Sequence, residues 1–281
     1  MIAYFNGRYM PKEDICIPVD DRGFLFSDSL YEVIRHYPGG LFRPDAHIRR
    51  LNHGAGHLAL ICGDFSYLVP VAEDLIHRNH LESQDALVYI HVTRGCAPRN
   101  HPFPIPSPEP TIYVCVSPFD TAGKDRQRET GIHAITVPDI RWSRCDMKTT
   151  GLTANVLANQ KAAENGAAEA IFVRDGVLME GTHANFMAVF DDTVTTAPLS
   201  NYILGGITRE TVLELCRHLG IRTSESPVYA TRVHLASELM VTGTTLEVTP
   251  IVTLDGRPVG TGMPGPTVRK LQTAFKERIS F

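Results

Sequence analysis

Two cation-capable side chains stand two positions apart in a proline-rich segment of the sequence. Arg99 and His101 lie in "GCAPRNHPFPIPSPEP", residues 95–110, which follows an apolar run and is called the proline loop here. Proline fixes φ and stiffens such a segment, and residues i and i+2 of an extended chain point to the same side. The pattern predicts a stiff loop that presents two cations in parallel. Two incidental surface cations are the alternative.

Lys148 is the candidate nucleophile of the chain. It stands in "DIRWSRCDMKTTG", after the only tryptophan and two arginines, and the alternation of apolar and polar residues predicts the end of a strand. Neighbouring cations favour the uncharged amine, which is the form that attacks a carbonyl carbon. A solvated surface lysine is the alternative interpretation of this stretch.

Glu180 offers a carboxylate between two apolar stretches. It stands in "VLMEGTHANFMAV", and Asn185 follows five positions later. A carboxylate at this place could form an ion pair with a cationic ring nitrogen of a ligand. An edge residue in a turn is the alternative.

The segment "NYILGGITRETVLELC" combines two glycines with the start of a predicted helix. Glycines before a helix let backbone N–H groups converge on an anion, assisted by the helix dipole. Gly205 and Gly206 therefore predict a phosphate site, and capping of the helix by Thr208 is the alternative. Thr244 in "VTGTTLEVTP" could bind the same phosphate, and Arg50 in "HIRRL" offers a fixed positive charge.

His53 and His57 stand four positions apart on a predicted helix and could together bind a metal ion. Neither an HExxH motif nor a partner carboxylate accompanies them in the sequence. We therefore expect no metal site, and a metal-dependent hydrolase is a distant alternative.

The composition is that of an ordinary globular protein. The 281 residues are 43% hydrophobic and 21% charged, and the formal net charge of −4 provides no field that attracts nucleic acid or an anionic membrane. The sequence starts without a signal-peptide pattern, and no apolar run approaches the roughly 20 residues of a membrane span. The scattered cysteines include no CxxC pair, which favours reduced thiols and a cytoplasmic location. The six are Cys16, Cys62, Cys96, Cys115, Cys145 and Cys216.

Strands and helices alternate along the chain, and hairpins are frequent. Asn6-Gly7 and Asp175-Gly176 predict tight turns between strands. Helical spacing predicts helices at "YLVPVAEDLIHR", "NVLANQKAAENG", "TRETVLELCRHLG" and "TVRKLQTAFKERI", besides one that Asp45 could cap. This mixture favours a mixed α/β (α+β) fold rather than a doubly wound parallel sheet. The length favours two domains: a small N-terminal α/β domain at 1–117, a linker at 118–125 and a larger C-terminal domain at 126–281.

These stretches, in this order and at about this spacing, resemble the class IV, fold-type IV pyridoxal-phosphate aminotransferases. The segment "DDRGFLFSDSLYEVIRHYPGGLFRPDAHIRRL" resembles them as well, so the likeness runs from about residue 2 to about residue 275. It implies a two-domain fold whose C-terminal domain has a barrel-like β core. Within the family, "VTRGCAPRNHPFP" resembles the D-amino-acid transaminase branch, in which an arginine and a histidine at these places bind the substrate α-carboxylate.

The resemblance implies a role for each candidate residue. Lys148 would bind pyridoxal 5'-phosphate covalently and then act as the acid and base at the substrate Cα, while Glu180 would pair with the pyridine nitrogen. The resemblance assigns the remaining contacts as follows: phosphate to Arg50, the N–H groups of Ile207 and Thr208, and the Thr244 hydroxyl; the ring face to Leu204; the substrate carboxylate to Tyr31, Arg99 and His101. Glu32, Glu169 and Thr182 are further candidates for supporting these groups, and ordinary surface or core placement of Glu32 and Glu169 is the alternative.

One stretch departs from the pattern of the D-specific relatives, which often have a serine-rich run after the glutamate. Here the run is Thr182-His183-Ala184. Thr182 keeps a hydroxyl, but Ala184 has no group that can form a hydrogen bond.

The hypothesis that follows is a ping-pong transaminase that moves the amino group of a D-amino acid, with D-alanine as the expected donor, to 2-oxoglutarate. Its products would be pyruvate and D-glutamate. Alternatives with the same coenzyme are a branched-chain L-amino-acid transaminase, an R-selective amine transaminase and 4-amino-4-deoxychorismate lyase. A non-catalytic binder of the coenzyme or a carboxylate is a further alternative. The resemblance also implies a homodimer in which Arg99 and His101 complete the neighbour's site.

Overall fold

The computed structural model describes residues 1–60 and 63–280 and divides them into two compact units. The first unit consists of Met1–Asp120 and Met147–Gly151, and the second of Thr121–Asp146 and Leu152–Ser280. The chain passes from the first unit to the second within the segment 118–125, where the sequence predicts a linker. The assignment of three regions as domain, linker and domain stays a prediction.

The first unit is built on a six-stranded sheet in the order β2-β1-β6-β5-β3-β4, and its neighbouring strands are antiparallel. Asn6 and Gly7 have φ values of 45° and 87°, so the predicted tight turn joins the first two strands. The strands are β1 (Ile2–Phe5), β2 (Arg8–Pro11), β3 (Ser29–Tyr37), β4 (Gly40–Leu41), β5 (Ala86–Thr93) and β6 (Ile112–Pro118).

The described part of this unit contains three α-helices: α1 (Arg22–Phe26), α2 (Pro44–His57) and α3 (Leu68–Arg78). A short 3₁₀ helix spans Lys12–Asp14. Helix α2 begins one residue before Asp45, and Arg43 takes the cap position without a side-chain cap hydrogen bond. The prediction that Asp45 caps the helix is therefore wrong, because Pro44 is already helical and a proline suits the first helical position.

The core of the first unit lies on one face of its sheet. Alternate residues of the central strands, among them Ile34, Val88, Ile90 and Val114, are fully buried and pack with apolar side chains of α2 and α3. Successive side chains of a strand point to opposite faces. The same alternation therefore places Tyr31, Tyr89 and Tyr113 on the opposite face.

The second unit contains a closed ring of six strands. They pair in the order β10-β14-β15-β7-β8-β9, and Asn185 of β10 pairs with Glu180 of β9 to close the ring. The barrel-like β core is therefore confirmed. The ring strands are β7 (Ile132–Pro138), β8 (Glu169–Arg174), β9 (Val177–Gly181), β10 (Asn185–Phe190), β14 (Glu238–Gly243) and β15 (Glu247–Leu254). The strands outside it are β11 (Thr193–Thr196), β12 (Arg222–Glu225), β13 (Val228–Tyr229) and β16 (Arg257–Pro258).

The helices of the second unit are α4 (Ala122–Thr130), α5 (Thr153–Glu164), α6 (Ile207–His218) and α7 (Pro266–Arg278), with a 3₁₀ helix at Val233–Leu235. Val268, Leu271 and Phe275 are buried on one face of α7, as the helical spacing predicts. Among the described residues, no helix combines the length and the apolar composition that crossing a membrane requires.

The five described cysteines form no disulfide: Cys16 and Cys96 are exposed, Cys115 is half-buried, and Cys145 and Cys216 are buried. Burial raises the pKa of the Cys145 and Cys216 thiols to about 11 each. The sixth cysteine, Cys62, lies outside the described residues.

Gly95 and Gly176 provide a paired test of the turn geometry. Both have positive φ, 95° and 76° respectively. A Cβ on Gly95 would overlap the Glu109 carbonyl oxygen, whereas a Cβ on Gly176 would meet open space. We expect Gly176→Ala to cost about 1–2 kcal/mol, the penalty of the left-handed backbone alone. Gly95→Ala should cost clearly more, because the proline loop must also move away.

Urea unfolding of both variants and the wild type measures these costs. Equal losses in the two variants would contradict the close approach of Gly95 to the far end of the proline loop.

Candidate active site

Lys148 lies in a segment without regular secondary structure rather than at the end of a strand. Strand β7 ends at Pro138, and only Thr149 of the following segment forms an isolated bridge, with Leu30 of β3. The alternation that predicts a strand is real, because Cys145, Met147 and Thr149 are buried in turn. The segment contains a turn at Cys145 and Asp146 and has no continuous ladder of hydrogen bonds, and this is why the strand prediction is wrong.

The first unit fixes Lys148 against Tyr31. The Tyr31 amide donates to the Lys148 carbonyl oxygen at 3.0 Å, and the Lys148 Nζ lies 4.3 Å from the centre of the Tyr31 ring. The Lys148 side chain is half-buried. An ammonium over an aromatic face is held by a cation–π attraction. The structure therefore brings the predicted nucleophile and one predicted carboxylate-binding residue together.

Glu32 is the next residue of β3 and is fully buried. Arg50 donates to both of its oxygens at 2.7 Å, and the His47 Nδ1 lies 2.8 Å from Oε2. His47 and Arg50 stand three residues apart on α2, so they share one helix face. Glu32 thus orients Arg50, and its role in supporting a coenzyme site stays a prediction. His47 was missed, although its spacing from Arg50 indicated a common face.

Burial acts against the charge of both Glu32 and His47. For Glu32 the guanidinium of Arg50 and the His47 ring outweigh burial and lower the carboxyl pKa to about 2. For His47 burial is the largest influence and lowers the imidazole pKa, while Glu32 opposes it. The cluster therefore contains an ionised carboxylate and favours a neutral imidazole.

Tyr31 lies on the face of the sheet opposite the core, where it is surrounded by other rings. The Tyr31 and Tyr89 ring centres are 5.9 Å apart, and the Tyr89 ring lies 6.3 Å from Tyr113 and 5.9 Å from His91. Burial raises the pKa of the Tyr89 phenol to about 12 and lowers that of His91. These groups are therefore held in their neutral forms beside Tyr31.

Arg99 and His101 are exposed and lie next to the same ring, that of Phe26 at the end of α1. The Arg99 guanidinium carbon lies 5.2 Å from the Phe26 ring centre, and the His101 ring centre lies 5.5 Å from it. The structure brings the two cation-capable side chains together, as expected for residues two apart in an extended loop.

Glu180 belongs to β9 in the second unit and is buried, so it is no exposed turn residue. Its Oε1 accepts a hydrogen bond from Arg141 Nη1, and its Oε2 accepts from Asn185 at 3.1 Å and from the Leu204 amide at 3.0 Å. Arg141 in turn binds Asp139 at 2.9 Å. The sequence shows Arg141 only as a neighbour of Lys148, so its pairing with Glu180 was missed.

Leu204 and the start of α6 are tied to this carboxylate. The Leu204 carbonyl oxygen accepts from the Asn185 side chain at 2.8 Å. Helix α6 begins at Ile207 after the cap residue Gly206. Thr208 lies inside the first turn and is buried, so capping by Thr208 is wrong. The Ile207 and Thr208 N–H groups are among those that have no acceptor within the helix.

Thr244 lies in the turn between β14 and β15 and is half-buried. Two positions earlier, Thr242 pairs in register with Asn185, and its buried hydroxyl has no hydrogen-bond partner among the described residues. An unpartnered buried hydroxyl is costly unless a ligand satisfies it. Thr242 is a further polar group that sequence reasoning missed.

Glu169 and Thr182 bind each other. The Thr182 amide and hydroxyl donate to Glu169 Oε1 at 2.9 and 2.6 Å, and Asn159 donates to the Thr182 hydroxyl at 3.1 Å. Ala184 packs in the apolar cluster of the second unit. The Thr182 hydroxyl thus both donates and accepts a hydrogen bond, and Ala184 contributes apolar packing.

The His53 and His57 side chains are exposed, and their Nε2 atoms lie 3.1 Å apart. Nowhere in residues 1–60 and 63–280 do three or more histidine, cysteine or acidic side chains gather in a way that could hold a metal ion. The pair therefore gives the hydrolase alternative no support.

Glu32 makes stability depend on pH in a predictable direction. The unfolded chain protonates this carboxyl near its ordinary pKa of 4.5, and the folded chain does so only near 2. Between these values the unfolded state binds more protons, so stability is lost as the pH falls. We expect a loss of roughly 3 kcal/mol that Glu32→Gln no longer shows.

Urea unfolding between pH 4.5 and 2 tests this, with Glu73→Gln, an exposed residue of α3, as the matched control. A Glu32→Gln protein that keeps the full wild-type slope would refute the argument.

Comparisons with known proteins identify the family of this chain. The family model of the class IV amino-transferases matches residues 29–254. A D-alanine aminotransferase of Bacillus licheniformis is 38% identical over 284 residues, which cover 99% of this chain and 97% of the relative.

Solved structures of aminotransferases share the fold of this chain. The branched-chain amino acid aminotransferase of Escherichia coli superposes with a TM-score of 0.91 at 26% identity, over 98% of this chain and 93% of that chain. The T.th. branched-chain amino acid aminotransferase, solved with pyridoxamine 5'-phosphate, superposes with a TM-score of 0.88 at 25% identity, over 99% and 94%. This chain belongs to the class IV aminotransferases.

Proposed function

We propose that this chain is a D-amino-acid transaminase that transfers the amino group of D-alanine to 2-oxoglutarate. The products are pyruvate and D-glutamate. The observation that carries the proposal is the pair Arg99 and His101, side by side at the Phe26 ring on a loop that resembles the D-specific branch. The relative from Bacillus licheniformis, a D-alanine aminotransferase, supports the same donor.

The coenzyme is pyridoxal 5'-phosphate, which supplies an electron sink for the negative charge that develops on the substrate Cα. The residues present fit such a group. The first-turn amides of Ile207 and Thr208 suit a phosphate, and Thr242 offers a buried hydroxyl without a partner among the described residues. We propose that these amides, the Thr244 hydroxyl and Arg50 hold the phosphate.

Glu180 suits a protonated pyridine nitrogen. Its carboxylate is fixed by Arg141, Asn185 and the Leu204 amide, so it does not have to reorganise when a cation arrives. We propose that Glu180 keeps the nitrogen protonated and that Leu204 packs on the ring face. Glu169 and Thr182 support this region through their mutual hydrogen bonds.

Lys148 suits the proton transfer at the substrate Cα. Its amine is held above the Tyr31 ring, and its backbone is tied to β3. We propose that this amine binds the coenzyme and then moves the proton to and from Cα. Glu32 acts indirectly, since it orients Arg50.

The carboxylate position determines which enantiomer reacts. Lys148 acts on one side, so the Cα–H bond must point to that side, and the place where the carboxylate is held then selects the handedness. We propose that Tyr31, Arg99 and His101 hold it. A guanidinium and an imidazolium both donate charge-assisted hydrogen bonds to a carboxylate.

We also propose a homodimer in which Arg99 and His101 complete the neighbour's site, and a cytoplasmic location. Two features support the dimer: both side chains are exposed, and the same proline loop carries the exposed Phe103 and Ile105, the latter 98% exposed. The cytoplasmic location is supported by five described cysteines that form no disulfide.

A branched-chain L-amino-acid transaminase is the second candidate. The observation in its favour is the TM-score of 0.91 with the branched-chain enzyme of Escherichia coli. The shared fold supports either donor, because one fold carries many specificities. The residues on the proline loop favour the D-amino acid.

The first test is a donor panel. We expect the holoenzyme to form glutamate from 2-oxoglutarate with D-alanine as the donor, and little with L-alanine or L-leucine, because the carboxylate position admits one enantiomer. Chiral chromatography of the glutamate formed identifies the product. Lys148→Ala is the control and should be inactive. Turnover of the L-donors alone would overturn the stereochemical assignment, and activity in Lys148→Ala would overturn the mechanism.

The second test is Arg99→Gln. Loss of one charge-assisted hydrogen bond costs about 1.5–3 kcal/mol, so kcat/KM for D-alanine should fall by about one to two decades.

Mixing the Arg99→Gln and Lys148→Ala proteins under conditions that exchange subunits tests the dimer. If Arg99 acts on the neighbour's site, each hybrid dimer contains one intact site and activity returns. If Arg99 acts within its own subunit, every site keeps a lesion and activity stays low.

A further inference from the structure

Arg22 is a buried arginine of α1 that sequence reasoning did not single out. Its Nη1 donates to the Asn100 carbonyl oxygen at 2.6 Å, and its Nη2 lies 3.4 Å from that of His101. Its side chain is 4% exposed. One guanidinium therefore holds two consecutive carbonyl groups of the proline loop, at the residues that follow Arg99.

Asp28 fixes the orientation of that guanidinium. Arg22 Nε donates to Asp28 Oδ2 at 2.9 Å. Arg94 binds the same carboxylate, at 2.7 Å to Oδ2 and 3.0 Å to Oδ1. Arg22 therefore has its Nε on the Asp28 carboxylate, which is 9% exposed, and its two terminal nitrogens on the loop, a use that requires the planar fork of arginine.

Arg94 anchors the other side of this cluster. It donates to the Leu58 and Ala59 carbonyl oxygens at 2.6 and 3.1 Å, just after helix α2. Its guanidinium carbon also lies 3.7 Å from the centre of the Phe103 ring. The proline loop is thus attached at residues 100, 101 and 103 to two arginines that share one carboxylate.

Phe26 completes the arrangement. The Arg22 guanidinium carbon lies 4.8 Å from the Phe26 ring centre, and Arg99 and His101 contact the same ring. Arg22 therefore determines both where the loop backbone lies and where the shared ring lies.

We propose that Arg22 is a positioning residue for carboxylate recognition: through its hydrogen bonds to the Asn100 and His101 carbonyl groups it sets the placement of the Arg99 and His101 side chains. The inference rests on the proposed function, in which those two side chains bind the substrate carboxylate. Arg22 does not touch the substrate. It acts by removing alternative positions of the loop, so that the two side chains are already in place when a carboxylate binds and less ordering has to accompany binding.

The test is Arg22→Lys in the holoenzyme, with D-alanine and 2-oxoglutarate as substrates. Lysine keeps the charge and loses the fork. We expect KM for both substrates to rise by between about 10-fold and 100-fold with little change in kcat, because both carry the carboxylate. The absorbance of the bound coenzyme should stay at the wild-type value.

Arg35→Lys is the matched control. Arg35 is a buried arginine of the same unit that binds Asp85 at 2.7 Å and stacks on Phe119 at 4.0 Å, away from the proline loop. The Arg35→Lys protein should lose about as much thermal stability as Arg22→Lys but keep the wild-type KM. Phe26→Leu is a second variant in case Arg22→Lys does not fold, and it should also raise KM.

A double-mutant cycle decides between positioning and an independent effect. Arg22→Lys should add little to the KM of Arg99→Gln, because it acts through Arg99 and its neighbour. Full additivity, or a wild-type KM in Arg22→Lys while Arg99→Gln is impaired, would overturn this inference and leave the proposed function intact. A wild-type kcat/KM in Arg99→Gln would instead overturn the proposed carboxylate site and the inference with it.

Discussion

The carboxylates of Glu32 and Glu180 are buried and that of Asp28 is 9% exposed, and each is bound by at least one arginine. Removing an ion from water costs several kcal/mol, and direct hydrogen bonds from an opposite charge offset that cost. Neither member of such a pair can move alone without exposing the other to the full cost. The pairs therefore fix the side chains and backbone segments attached to them.

In the first unit, these ion pairs also position the residues that have proposed chemical roles. Glu32 and Tyr31 are consecutive on β3, so the strand that buries the carboxylate also presents the tyrosine against Lys148. Asp28 stands just before the same strand and holds two arginines. In the second unit, Glu180 lies where β9 and β10 close the ring. Preorganised groups of this kind need no rearrangement during reaction.

Local patterns in the sequence predicted the regular elements well. The turns at Asn6-Gly7 and Asp175-Gly176 require positive φ, which these residue types tolerate, and both hairpins form. The buried face of α7 follows helical spacing. The failures lie at element boundaries: α2 and α6 start before the residues expected to cap them, and the alternating segment before Lys148 turns instead of pairing as a strand.

Residue types and their order along the chain were enough to predict the candidate residues and the resemblance to the family, because both depend on local motifs and their spacing, and the barrel-like core followed from that resemblance. Which partners the charged side chains bind became known only from the folded chain. The partners lie far apart along the chain: 39 positions for Arg141 and Glu180, 15 for His47 and Glu32, and 78 for Arg22 and Asn100 of the proline loop. Pairing at such separations depends on how strands and helices pack, and neither periodicity nor turn chemistry encodes it.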